Sequence, residues 1–291
     1  MQFKRNKVII SCKIDWSDYM SFVKYIESKD GTLLYTKIQT QEQPENAKAT
    51  IVIVHGLAEH LGRYDDFAGT LIRNGFNVIR YDQRGHGHSS GEETFYSEVD
   101  EITDDLGAIV LYARKQFENQ KLFIIGHSMG GYTAALYGTK YPQKIDGYVT
   151  SGALTRFNND IFEEIPVGLD TNDYVKNELG DGICSTEIVR KHYVEDALNK
   201  KRISVGLIRT IQKGVEYLKL EASDFKDPIL ILHGENDGLV SVKDSEQLHD
   251  EISSSDKELI IYPELEHEIF NEFTKKNEIF DTIMSWIDAR L

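Results

Sequence analysis

From about residue 22 to residue 40, apolar and polar positions alternate on either side of Lys29-Asp30-Gly31-Thr32. Alternation with a period of two around an Asp-Gly turn predicts an antiparallel hairpin. Beyond it the pattern changes. Thr50-Ile-Val-Ile-Val54 is apolar at consecutive positions, as in a strand covered on both faces of a parallel sheet. Tyr64 to Asn74 reads as a short helix and Asn77 to Tyr81 as the next strand. Val99, Ile102, Leu106, Val110, Ala113 and Phe117 recur every three or four residues, so a long helix buries that stripe. A strand over Lys121 to Ile125, a helix over 129–141 stopped by Pro142 and a strand over Asp146 to Ser151 complete a further unit.

The rhythm then breaks. About 75 residues separate the strand near Val149 from the next clear one, Pro228-Ile-Leu-Ile-Leu232, whereas a simple crossover needs a dozen or two. The surplus carries the helical stripe Ile203, Leu207, Ile211, Val215 and Leu218. This predicts a helical lid over 153–220, inserted into a core made of 1–152 and 221–291. Phe157, Ile161, Phe162, Ile165 and Val167 open the insertion, either lining an apolar channel or packing the lid on the body. A helix over Asp244 to Ile252, a last strand over Glu258 to Tyr262 and a closing amphipathic helix over Glu278 to Leu291 follow. Alternating strands and helices imply the α/β class, a mostly parallel sheet with helices on both faces.

Charge narrows the field. A formal net charge of −15 over 291 residues argues against nucleic acid, whose phosphates need a concentrated basic surface. It equally disfavours docking on anionic membranes. Cys12 and Cys184 cannot build a disulfide framework, and neither lies in a metal-like cluster. No stretch approaches the ~20 apolar residues of a membrane helix, and Val8-Ile-Ile10 is too short for a secretory signal. A cytoplasmic protein without a membrane anchor is expected; nothing indicates its oligomeric state.

The candidate chemistry centres on Gly126-His127-Ser128-Met129-Gly130, placed between an apolar run and a segment rich in small residues. A strand, a sharp turn and a helix with serine at the apex is how an exposed nucleophile is presented. The same spacing recurs at Gly87-His88-Ser89-Ser90-Gly91, but the preceding strand ends well before Ser89 and no helix start follows, so Ser89 reads as a polar loop residue. A serine needs a base and an orienting acid, which on such a scaffold follow it in the order acid, histidine. Asp237, in the loop after the strand ending at Leu232, is the expected acid, with Glu235 as competitor. His267, after the last strand, is the expected base. The backbone N–H of Met129, at a helix start, and that of Leu57, after His55-Gly56, are the expected oxyanion donors. No metal or cofactor is required.

His55-Gly-Leu-Ala-Glu-His-Leu-Gly-Arg-Tyr64, Tyr81-Asp-Gln-Arg-Gly-His-Gly-His-Ser89, Gly126-His-Ser-Met-Gly-Gly131 and His267-Glu-Ile-Phe-Asn-Glu272 together resemble the monoacylglycerol lipase/lysophospholipase group of the α/β-hydrolases, related to serine aminopeptidases. The resemblance spans about residues 25 to 290. It implies the same triad and oxyanion amides, a supporting polar pair of Glu59 and Arg63, and a structural role for Asp82, Arg84 and His86. It also implies hydrolysis of single-chain acyl esters through an acyl-enzyme. Esterases or thioesterases for short or aryl esters, aminopeptidases and ligand-binding homologues without activity share the scaffold. One position departs: the mammalian enzymes carry a glycerol-contacting histidine where this chain has Phe270.

Overall fold

The computed structural model describes residues 19–159 and 168–291. Tyr19–Glu27 (β1) and Leu33–Gln41 (β2) form the expected hairpin, Tyr25 opposite Tyr35. Thr50–Val54 (β3), Asp65–Arg73 (α1), Asn77–Tyr81 (β4), Val99–Gln116 (α2), Leu122–His127 (β5), Met129–Lys140 (α3) and Gly147–Ser151 (β6) then alternate. After an insertion come Ile229–Gly234 (β9), Val242–Glu251 (α6), Lys257–Tyr262 (β10) and Lys276–Asp288 (α7). Among the described residues, eight strands form one sheet in the order β1-β2-β4-β3-β5-β6-β9-β10. β2 runs antiparallel to both neighbours, while every pair from β4 to β10 is parallel.

Pleating sends successive side chains to opposite faces, so an all-apolar strand feeds two cores. Val52 and Val54 join Ile79, Ile124 and Ile231 beneath α2 and α3, whereas Ile51 and Ile53 join Phe123, Ile125 and Leu232 beneath α1 and α7. Arg80, in the middle of β4, is buried but answered by the Leu61 carbonyl at 2.9 Å and Asp65 at 2.8 Å.

Between β6 and β9 lie Tyr174–Lys176 (β7), Glu187–Glu195 (α4), Arg202–Ser204 (β8) and Val205–Leu220 (α5). The expected helical stripe is α5 from Leu207 on, whereas its first member, Ile203, lies in β8. The helix starts where Ser204 Oγ accepts the Leu207 N–H at 3.0 Å and packs Leu207, Ile211, Val215 and Leu218 into the main core. The insertion also holds something not expected, an antiparallel ribbon pairing Tyr174 with Ser204. Three-residue strands leave no readable alternation, which is why periodicity missed it. Phe157 packs half-buried against the main core; Ile161, Phe162, Ile165 and Val167, like Cys12 and Val8-Ile-Ile10, lie outside the described residues. Among the described residues no helix is long and apolar enough to cross a membrane.

Candidate active site

Parallel strands deliver their following loops to one edge of the sheet, which is where open α/β sheets place their sites. The loops after β3, β5, β9 and β10 meet there and bring Leu57, Ser128, Met129 and His267 to the wall of one cavity. Ser128 has φ 54° and ψ −119°, a left-handed conformation that side chains adopt only under constraint. The constraint is packing on both sides. A Cβ on Gly126 would lie 2.2 Å from the Gly130 carbonyl oxygen, and one on Gly130 would lie 2.1 Å from that of Val54. The Ser128 N–H donates to the Ser151 carbonyl at 2.8 Å, and its own carbonyl accepts the Tyr132 N–H at 2.9 Å to start α3.

The Asp237 carboxylate is buried and accepts at both oxygens. Oδ1 takes the Leu239 and Val240 N–H groups, each at 2.9 Å, and Oδ2 takes His267 Nδ1 at 2.7 Å. Burial alone would raise its pKa, but the charge of His267 and hydrogen bonds from the His233 and His267 rings hold it far below the usual carboxylate range. Glu235, the competing acid, is exposed on the same loop and accepts the Glu264 N–H at 3.3 Å. Since a carboxylate can only accept, Nδ1 of His267 carries the proton and Nε2 is left as the basic nitrogen. Burial would lower the His267 pKa; Asp237 outweighs it and raises the value above that of a free histidine. The His127 ring packs 4.6 Å from the His267 ring, and burial keeps His127 neutral, its pKa lowered to about 3.

Around the loop after β3, Glu59 Oε1 accepts the Gly56 N–H at 2.5 Å and the Tyr64 hydroxyl at 2.6 Å, while Oε2 pairs with Arg63 Nε at 2.8 Å. A Cβ on Gly56 would come within 3.2 Å of the Ser128 Cβ, so this loop lies directly over the serine. His55 pins the next peptide, between Gly56 and Leu57, with Nδ1 2.7 Å from the Gly56 carbonyl and Nε2 accepting the Gln83 N–H at 2.9 Å. A trans peptide points its N–H opposite its C=O, which turns the Leu57 N–H away from His55. Arg63 also pairs with Glu268, the residue after His267, and stacks 4.8 Å from the Tyr193 ring of α4. Burial pushes both carboxylates up; Arg63, the His127 and His55 rings and the Tyr64 hydroxyl hold Glu59 below the usual value, whereas Glu268 stays above it. Sequence reasoning assigned no role to Glu268 or to His233, which touches Asp237. Adjacency to His267, and a spacing of four from Asp237, were the available signals.

Asp82 accepts the Leu61 and His88 N–H groups, each at 2.8 Å, and ties the loops after β3 and β4 together. Ser89 Oγ donates to the Asp82 carbonyl and accepts the Tyr35 N–H at 2.8 Å, a loop fastener far from any nucleophile's setting. Phe270 does not line the cavity: it packs 5.3 Å from Phe67 and 6.1 Å from His127, within the core below. Leu154, Leu179, Ile183, Tyr193, Leu239 and Val240 form the cavity's apolar wall. The cavity has a volume of ≈ 30 Å³.

A family model described as serine aminopeptidase, S33, matches residues 45–274. A monoacylglycerol lipase of Mycolicibacterium smegmatis is 29% identical over 251 residues, covering 84% of this chain and 89% of that one. The human monoglyceride lipase is 27% identical over 275 residues, covering 91% and 90%. Among solved structures, the Paleococcus ferrophilus monoacylglycerol lipase aligns with a TM-score of 0.74 at 28% identity, over 89% of this chain and 99% of that one. A soluble variant of the Saccharomyces cerevisiae monoglyceride lipase aligns with a TM-score of 0.83 at 24% identity, over 96% and 98%, a likeness of fold. With the family model covering well over half of its length, the chain belongs to the serine aminopeptidase S33 family of α/β-hydrolases.

Proposed function

We propose that this chain hydrolyses carboxylic esters of single-chain acyl lipids, of the monoacylglycerol or lysophospholipid type, through an acyl-enzyme. The observation that carries the reading is the shared cavity of Ser128, held at its strained turn, and His267, whose Nδ1–H is fixed by buried Asp237. Relatives named as monoacylglycerol lipases over nearly the whole chain support the substrate class.

Ser128 Oγ attacks the ester carbonyl carbon while His267 Nε2 takes its proton. The charge that develops on the carbonyl oxygen meets the N–H groups of Leu57 and Met129. Met129 is the first residue of α3, where N–H groups have no acceptor within the helix. Collapse breaks the bond to the alkoxy oxygen, which leaves as the alcohol with the proton from His267. Water then attacks the acyl-serine by the same route, releasing the acid. Glu59 and Arg63 support the oxyanion loop. Residues 153–220 act as the lid: Leu179, Ile183 and Tyr193 close the cavity, and an acyl chain enters only when they are displaced, since pockets for such ligands are roughly 300 Å³ or larger.

The test is turnover of a nitrophenyl ester series and of 1-monoacylglycerols by the purified protein, with thioester and amide analogues as comparison. Ester turnover and fluorophosphonate labelling should both vanish in Ser128→Ala. A protein that cleaves none of the esters, or a variant that keeps its activity, refutes the assignment.

A further inference from the structure

Asp237 Oδ2 is approached by two imidazoles. One is His267 at 2.7 Å; the other is His233, whose Nε2 lies 3.0 Å from the same oxygen. His233 closes the apolar run of β9, is fully buried, and has no part in the reaction described above. Its Nε2 also lies 3.0 Å from the Val240 carbonyl oxygen, and its Nδ1 lies 2.7 Å from Ser245 Oγ on α6. A carbonyl and a carboxylate can only accept, so a bare Nε2 lone pair facing both would be repelled. Nε2 therefore carries a proton, whatever Nδ1 holds. The single Nε2–H is shared between the Val240 carbonyl and Asp237 Oδ2, so Asp237 receives the Leu239 N–H, the Val240 N–H, the His267 Nδ1–H and a share of the His233 Nε2–H.

We propose that His233 is a positioning residue for the proposed triad: its Nε2–H holds Asp237 Oδ2 against His267 and shares that oxygen's negative charge. The inference rests on the reading of Ser128, Asp237 and His267 as the reacting set. Without the second donor, the carboxylate concentrates its charge on His267 and holds the imidazolium more tightly, which leaves a base that works only at higher pH. The other ionisable groups facing this pair are Glu59, Glu268 and Arg63 beside His267, His127 against its ring, and Glu266 near Asp237. None of them is altered by a change at residue 233.

The experiment is the pH profile of kcat/KM for nitrophenyl ester hydrolysis by wild type, His233→Leu and His233→Gln. Leucine removes the donor; glutamine returns an N–H close to the position of Nε2. The expected result for His233→Leu is an acid limb moved up by roughly half to one pH unit, with a loss of about 3- to 10-fold on that limb. His233→Gln should bring the limb most of the way back. A His233→Leu variant that loses activity with its acid limb unmoved, or a His233→Gln variant no better than leucine, overturns the proposal, because a side chain that only fills space changes rate or stability and leaves the limb in place. If the variants do not fold, ¹⁵N spectra of the histidine-labelled wild-type protein decide: a proton on His233 Nε2 is expected, and a bare Nε2 overturns the contact. If wild type shows no Ser128-dependent turnover, the proposed function fails, and the same spectra still judge the His233 contact separately.

Discussion

At the scale of single residues, the backbone of Ser128 stores strain of about 1–3 kcal/mol, and its neighbours keep it there. Gly130 has no space for a methyl group, because the added carbon would lie 2.1 Å from the Val54 carbonyl oxygen. Gly130→Ala should therefore push α3 away from β3, lower stability by about 1–3 kcal/mol and slow fluorophosphonate labelling of Ser128. A melting temperature and labelling rate equal to wild type would contradict this account. Glu59 acts on the opposite loop by fixing the Gly56 N–H. Losing an oxyanion donor outright costs ~10²–10³ in rate; Glu59→Ala only frees the loop, so kcat should fall about 10–100-fold with KM little changed. His267 supplies a third expectation. Its pKa is raised, chiefly by Asp237 against the effect of burial, and as the proposed base it must be deprotonated to act. Activity should therefore rise through an acid limb above pH 6.5, the ordinary histidine value, as kcat/KM against pH would display.

Carboxylates join several elements around the site. Asp244, at the start of α6, accepts the N–H groups of Thr155, Arg156, Phe157 and Asn158 at 2.7 to 3.1 Å, and so fixes the chain as it leaves β6. Glu272 takes the Ser185 N–H at 2.8 Å and its hydroxyl at 2.5 Å, fastening the loop after β10 to the insertion. On the other side, the Lys200 N–H reaches the Ala58 carbonyl at 2.8 Å and His60 meets Asp196 at 3.0 Å. Arg63 links three elements at once, through Glu59, Glu268 and the Tyr193 ring. Arg63→Ala leaves two buried carboxylates without their cation, so a loss of about 3–5 kcal/mol is expected. A loss of unfolding free energy in urea of less than a third of that would show that the two acids find other partners.

For the molecule as a whole, buried histidines set the response to acid. Burial is the main cause that lowers the pKa of His55 to about 4 and those of His86 and His127 to about 3. In the unfolded chain each titrates near 6.5. The folded state then binds fewer protons below that value, so this stability is complete above pH 6.5 and is lost as pH falls toward 4. Between pH 7 and pH 5 each contributes a loss of about 2 kcal/mol. His267 acts in the opposite sense, because its raised value stabilises the fold at low pH and that contribution fades as pH rises. Three groups outweigh one, so the melting temperature should drop clearly from pH 7 to pH 5; an unchanged midpoint would mean that these rings are hydrated.

What neighbouring residues encode was legible from the order of amino acids. Apolar runs and stripes marked the strands of the parallel sheet and helices α2, α3 and α5, since burial on a face imposes its own period. Ser128, Asp237 and His267, the proposed reacting set, could be picked out as candidates because each follows a strand in a fixed order along the chain. Contacts between remote positions were not readable. Arg63 meets Glu268 across 205 positions, His233 and His267 converge on one oxygen, Phe270 turns into the core, and the β7–β8 ribbon pairs segments about 30 residues apart. Each of these depends on where the finished sheet and insertion carry the backbone. Local patterning determined the elements and the loops that hold the chemistry; only the assembled molecule decided which charges share a buried space, because a charge's partner inside a protein is whatever the fold brings within about 4 Å.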